Sequence, residues 1–160
     1  MSTNLAVALV HYPVYNKHRQ VVTTAFTNLD IHDIARTCRT FGLSRYYLIT
    51  PSVEQQQLIQ RIITHWDAGW GAAYNPDRRE ALSIVRSVPN LQAAVQDLQQ
   101  GSEHQLPVST IVTGAARRAG ALQFSALRRM VRNNDRQYLL VLGTGWGLAD
   151  ELFEQADIIL

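Results

Sequence analysis

Cysteine and lysine are almost absent: Cys38 and Lys17 are the only residues of either type in 160. One cysteine excludes an internal disulfide framework and a multi-cysteine zinc site, and it fits a reducing compartment. The five histidines are scattered without ligand spacing, so no metal is expected. Long apolar runs are missing as well. The longest near the N-terminus, Leu5–Val10, is too short to cross a bilayer, and no basic region leads into it. A soluble, cytoplasmic protein without a membrane partner is expected. Strong charge of one sign is also lacking. The net charge of +2 predicts no nucleic-acid partner by itself. No repeat, low-complexity tract or long linker divides the chain, and its length suits one domain.

Apolar residues make up 46% of the chain, enough for a core that buries roughly two-thirds of the unfolded surface. Near-continuous apolar runs at 5–10, 46–50, 108–112 and 138–142 read as strands, with a shorter one at 84–88 and an extended piece at 21–27. Ile158, Ile159 and Leu160 open a further strand. Helical periodicity lies between them. Ile31, Ile34, Ala35 and Cys38 share one face, and Leu58, Ile59, Ile62 and Ile63 another. Asn75-Pro76 is a helix start, with asparagine as cap and proline first. Apolar strands without alternation are buried on both faces. The fold class is therefore α/β, a parallel sheet with helices on both faces.

Ligands of such sheets bind beyond the carboxyl ends of the strands. Here those ends are polar or glycine-rich: His11-Tyr12-Pro13, Thr50-Pro51, Thr113-Gly114 and Gly143-Thr144-Gly145. The sharpest signal is Gly143-Thr144-Gly145-Trp146-Gly147-Leu148. Alternating glycines permit positive φ and close backbone approach. The loop follows a late strand with thirteen residues left after Gly147, so it is not a dinucleotide fingerprint. No lysine stands near it, so it is not a P-loop. A tight turn that only packs a helix is the simpler alternative.

Arginine supplies the positive charge. Between His104 and Asn134 stand Arg117, Arg118, Arg128, Arg129 and Arg132, with no acid. This is either an RNA-facing patch or a solvated helix face. Trp66, Trp70 and Tyr74 flank a loop with Gly69 and Gly71, ahead of Arg78 and Arg79. Aromatics beside arginines can stack unpaired bases, pack a loop, or form a dimer contact.

Two motifs then come together. Asn28 is followed by Arg36-Thr37 and by Phe41-Gly42-Leu43, and Leu142-Gly143 by Gly147-Leu148. In this order they resemble the first and second motifs of the SPOUT superfamily of RNA methyltransferases. His11 to Tyr15 and Tyr74-Asn75-Pro76-Asp77-Arg78 make the chain similar to a small bacterial group within it. The resemblance implies a C-terminal trefoil knot, a homodimer and S-adenosylmethionine bound bent between three loops. It implies methyl transfer to tRNA or rRNA. The motif match makes Arg36 the active-site arginine, holding a phosphate or the acceptor nucleotide, or stabilising developing charge.

Thr113, Gly114, Leu142, Gly143, Thr144, Gly145, Gly147 and Leu148 have the small side chains and backbone groups a cofactor needs. Trp146 either caps that pocket by packing or stacks on a base. Asn28 either caps its helix or touches the acceptor, and His11 is either a proton acceptor at the crevice or a structural histidine. Cys38 reads as core. The resemblance also calls for a third glycine loop and a helix beyond Leu160. Residues 1–160 are therefore expected to be one SPOUT-like domain cut before the knot-completing segment. A non-catalytic RNA-binding domain and a nucleotide-binding α/β domain are the competing readings.

Overall fold

The computed structural model describes residues 4–68, 70–102, 104–116, 118–132 and 135–160. Its main sheet has six parallel strands. β1 (Leu5–Val10) and β7 (Gln137–Gly143) lie at the centre, in register from Leu5↔Tyr138 to Val10↔Gly143. Beyond β1 come β4 (Tyr46–Ile49) and β5 (Val85–Val88); beyond β7 come β6 (Val108–Val112) and β8 (Ile158–Ile159). The expected fold class is the observed one.

Alternation along β1 explains why its sequence does not alternate. Ala6, Ala8 and Val10 enter one core with Ala94 and Leu98 of α5 (Leu91–Gln100) and Leu152 and Phe153 of α7 (Asp150–Glu154). Val7 and Leu9 enter the other, with Ile31, Ala35 and Cys38 of α1 (Asn28–Thr40). Ile59 of α2 (Val53–Asp67) and Leu82 of α4 (Pro76–Leu82) complete it. Both faces are covered, so every position must be apolar. Burial pushes the Cys38 thiol up to about 11, as suits a core residue. Among the described residues no helix is long and apolar enough to cross a membrane.

Helix starts follow side-chain chemistry. Asn75 accepts from Arg78 N and Pro76 follows it, as expected. At α1 the cap is Thr27, not Asn28. Thr27 is extended (φ −116°), its hydroxyl accepts from Asp30 N, and the Asp30 carboxylate accepts from Thr27 N at 2.6 Å. An acid three residues after a threonine makes this reciprocal pair; no acid stands at that spacing from Asn28.

Two further elements differ from expectation, and a third, α7, has a tertiary cause. Within the expected extended piece 21–27, only β3 (Val21–Val22) joins a ladder, pairing with β2 (Val14–Tyr15) in a separate hairpin. Beyond it Thr24 N bonds to His11 O, and Phe26 turns onto the α1 core. The aromatic loop contains a one-turn helix, α3 (Trp70–Tyr74); Gly69 lies outside the described residues. The acid-rich stretch after the glycine loop forms α7, because Leu148, Leu152 and Phe153 have a core to enter.

The final apolar run is an edge strand, pairing Ile158 with Ile111 and Ile159 with Val112. On its outer side Leu122 N donates to Ile159 O at 2.7 Å, so the β6–β7 connection crosses beyond β8. That connection carries α6 (Phe124–Val131), which buries no side chain.

Candidate functional site

The carboxyl ends of β1, β7 and β6 lie side by side, and the site is built there. Val10 sits opposite Gly143, so the residues after each strand meet. Thr144 donates its hydroxyl to Val10 O at 2.9 Å. Its oxygen therefore accepts from Thr24, 2.6 Å away. Having used that proton, Thr24 accepts from His11 Nδ1 at 3.0 Å. The chain of bonds fixes the Nδ1–H tautomer and leaves His11 Nε2 buried without a partner. His11 is only 1% exposed, and burial lowers its pKa. Its burial under the hairpin and its bond to Thr24 suit the structural reading of His11 better than that of a proton acceptor at the crevice.

The hairpin locks onto the glycine loop. Tyr15 N donates to Gly147 O at 2.8 Å and Trp146 N donates to Tyr15 O at 2.9 Å. Gly145, at φ +59°, brings its α-carbon so near that a Cβ would stand 2.9 Å from Tyr15 O. Gly143 leaves room for Leu148, whose Cγ would be 2.8 Å from an added Cβ. Gly147 differs. At φ +106° it has nothing within 4 Å of that position, so its backbone borders open space. The Trp146 side chain is 71% exposed; it does not pack over the loop.

The β6 end approaches from the other side. Thr113 donates both N–H and hydroxyl to Val141 O. Gly114 faces Phe153, whose ring would be 3.0 Å from an added Cβ. Arg118 lies 3.6 Å over the Phe153 ring and bonds Asp150 at 2.7 Å. Tyr15 donates to the same carboxylate at 3.1 Å and Arg19 at 3.4 Å. Arg118 and then Tyr15 hold Asp150 below the usual carboxylate range. Asp150 thus ties hairpin, β6 loop and α7 together, a hub that sequence spacing alone did not reveal. The nearest signal was Tyr15 and Arg19, four residues apart around a turn.

S-adenosylmethionine suits what remains open. The hydroxyls of Thr113 and Thr144 are spent on backbone carbonyls, so recognition falls to main-chain groups. The exposed residues 114–116 offer these, and Gly147, whose own N–H and C=O are bonded to Thr144 O and Tyr15 N, leaves open space for the ligand.

Arg36 stands elsewhere. It lines a groove of about 450 Å³ between α1 and α4, with Arg39, Asn75, Asp77, Arg78 and Glu80. Its ion-pair partner is Asp33 at 3.8 Å. No hydrogen bond or ion pair among the described residues joins Arg36 to the glycine loop. Asn28 is exposed on the first turn of the same helix. Arg128, Arg129 and Arg132 are exposed on or next to α6 without an ion pair among the described residues, whereas Arg118 is half-buried and paired. Arg117 lies outside the described residues.

Comparison with known proteins bears on the same features. A tRNA (guanine-N(1)-)-methyltransferase of Oleidesulfovibrio alaskensis is 43% identical over 157 residues, 98% of this chain. The chain spans about a third of that relative, 36% of its length. An uncharacterised protein of Aquifex aeolicus is 33% identical over 160 residues, covering 100% of this chain and 77% of that one. Among solved structures, a probable methyltransferase from Bordetella pertussis Tohama I shares the fold. Its TM-score is 0.61 at 12% identity, over 98% of this chain and 77% of that one. A family model described as SAM-dependent RNA methyltransferase matches residues 4–160. With that match over nearly its whole length, the chain belongs to the SAM-dependent RNA methyltransferase family.

Proposed function

We propose that this chain transfers a methyl group from S-adenosylmethionine to a nucleotide of tRNA or rRNA, at the carboxyl ends of β6 and β7. The observation that carries the reading is the open space at Gly147, together with the exposed 114–116 loop, in a chain of this family. When bound, the cofactor supplies an electrophilic methyl on a sulfonium. Main-chain groups of Gly114, Leu142, Gly143 and Gly145 hold it in the space that Gly147 leaves open, while Thr113, Thr144 and Leu148 shape the loops from behind. Alignment and exclusion of water are then the chain's task, and orientation alone supplies roughly 7–11 kcal/mol.

Arg36 orients the acceptor through a phosphate or steadies charge developing on it, with Asn28 on the same helix. Arg128, Arg129 and Arg132 bind RNA phosphates. Because Arg36 has no contact with the glycine loop of its own chain, a second copy supplies it, and the working form is a homodimer. The β6–β7 connection passing beyond β8 supports a trefoil-knot arrangement. An RNA substrate and one reduced cysteine suit the cytoplasm. The name of the Oleidesulfovibrio relative makes a guanine of tRNA the first acceptor to try.

Calorimetric titration with S-adenosylmethionine and a tritium methyl-transfer assay on total tRNA test the reading together. Arg36→Ala should abolish transfer and leave cofactor affinity within about twofold. Full transfer by that variant sinks the assignment of Arg36. Absence of cofactor binding by the unaltered chain sinks the site.

A further inference from the structure

Two large aromatic side chains stand in solvent with no place in the chemistry above. Trp70 and Tyr74 are 74% and 70% exposed, and their rings stack 4.8 Å apart, 20° from parallel. They lie one helical turn apart on α3, so the same face carries both. The helix is docked by its opposite side. Gly71 is its buried residue, set against Trp66 so closely that a Cβ would come within 2.7 Å of the indole. Trp66 is held in turn, with the Arg78 guanidinium 4.7 Å over its ring and His32 and His65 edge-on. The stacked pair is thus displayed from a fixed base.

Its position is equally specific. Asn75 follows Tyr74 directly, caps α4 and lines the α1–α4 groove with Arg36, Arg39 and Arg78. Arg39 is taken by Glu80, and among the described residues the only ion pair of Arg36 is the long one with Asp33. Three arginines, Arg36, Arg39 and Arg78, line the groove against two acids, Asp77 and Glu80, an excess of one positive charge. His32 is held below its ordinary pKa by burial first and then by Arg78, with Arg36 adding to the effect. A groove for an anion therefore adjoins a flat apolar platform.

We propose that Trp70 and Tyr74 form a stacking platform for an unpaired base of the substrate RNA, whose neighbouring phosphate lies in the α1–α4 groove. The proposal rests on the RNA reading above. A stacked pair leaves an outer ring face open, every nucleobase has a π face to lay on it, and arginine nearby anchors the backbone. Paired bases inside a duplex cannot reach such a platform, so this surface favours loops and single strands.

The test uses the full chain and its W70A/Y74A and W70F/Y74F variants. The probes are a short fluorescein-labelled oligo(U) and a labelled duplex, read by anisotropy. Both side chains are exposed and alanine favours helix, so the fold should survive; melting curves check this. W70A/Y74A should weaken oligo(U) binding about tenfold or more. W70F/Y74F should restore most of it, and duplex binding and S-adenosylmethionine affinity should stay unchanged. Undiminished oligo(U) affinity in a folded W70A/Y74A protein overturns the platform alone. If RNA affinity holds but sedimentation shows W70A/Y74A dissociating an assembly the unaltered chain forms, the pair is a chain–chain contact and the proposal fails. Loss of all RNA binding by the unaltered chain would overturn the RNA reading together with the platform.

Discussion

At the scale of single residues, one proton orders the site. The hydroxyl of Thr144 points to Val10 O, that of Thr24 to Thr144, and the Nδ1–H of His11 to Thr24. A second proton on His11 would sit on Nε2, buried with no acceptor. The folded-state pKa is accordingly below the ordinary value near 6.5, so the native state binds fewer protons than the unfolded one. The sign follows: stability is complete above about pH 6.5 and falls as pH drops through the folded-state value. His32 adds to the same trend, lowered by burial and then by Arg78. Melting temperature should therefore decline between pH 7.5 and about 5. His11→Asn keeps a group near the Nδ1 position but cannot titrate, and it should flatten much of that decline. Circular dichroism melts at several pH values provide the check; an unchanged slope in the variant would remove His11 from the account.

At the scale of elements, the β2–β3 hairpin and the glycine loop act as one unit. Two main-chain bonds join Tyr15 to Trp146 and Gly147, and the Asp150 carboxylate binds Tyr15 and Arg19 to Arg118. Glycine at 145 serves this contact before it serves any ligand. Gly120 offers a comparison, since it also has positive φ (+80°) but nothing within 4 Å of an added Cβ. Gly120→Ala should cost backbone strain alone, about 1 kcal/mol, or roughly 2–4 °C. Gly145→Ala adds a collision with the Tyr15 carbonyl and should cost about 2–4 kcal/mol. Equal melting shifts would mean that the hairpin does not press on the loop. The same collision makes Gly145→Val a poor probe of cofactor binding, because it disturbs fold and pocket together.

At the scale of the whole molecule, charge is distributed by function of place and not by total. The net charge is only +2, yet Arg128, Arg129 and Arg132 stand exposed on one connection with no ion pair among the described residues. Among the described residues none of the α7 acids, Asp150, Glu151 and Glu154, makes an ion pair with them, and Asp150 is occupied by Arg118 and Arg19. If the patch binds phosphates, the logarithm of RNA affinity should fall linearly with the logarithm of salt concentration. Replacing Arg128 and Arg129 by glutamine should reduce that slope by about 1–2. A slope that does not move would make the patch a solvated face. This measurement is independent of the Trp70–Tyr74 platform, whose stacking contribution depends far less on salt.

Much of this arrangement is local, and local features are legible in a sequence. The apolar strands, the Asn75-Pro76 helix start, the Cys38 core face and the edge strand at Ile158–Ile159 all follow from periodicity, caps and runs of consecutive residues. The glycine loop was equally visible, because glycines at that spacing after a buried strand have few uses. What the sequence alone could not decide is which groups meet. Thr27 won the α1 cap from its neighbour through Asp30. His11 became buried only when Thr24 and Thr144, more than a hundred residues apart, closed over it. Gly145 is required by the Tyr15 carbonyl, and Asp150 gathers Tyr15, Arg19 and Arg118 from both ends of the chain. Arg36, the active-site arginine of the motif match, lines a groove between α1 and α4 of its own chain. Each outcome depends on long-range approach across the sheet, where hydrogen-bond partners and close contacts are set by strand order and register, which no local pattern encodes.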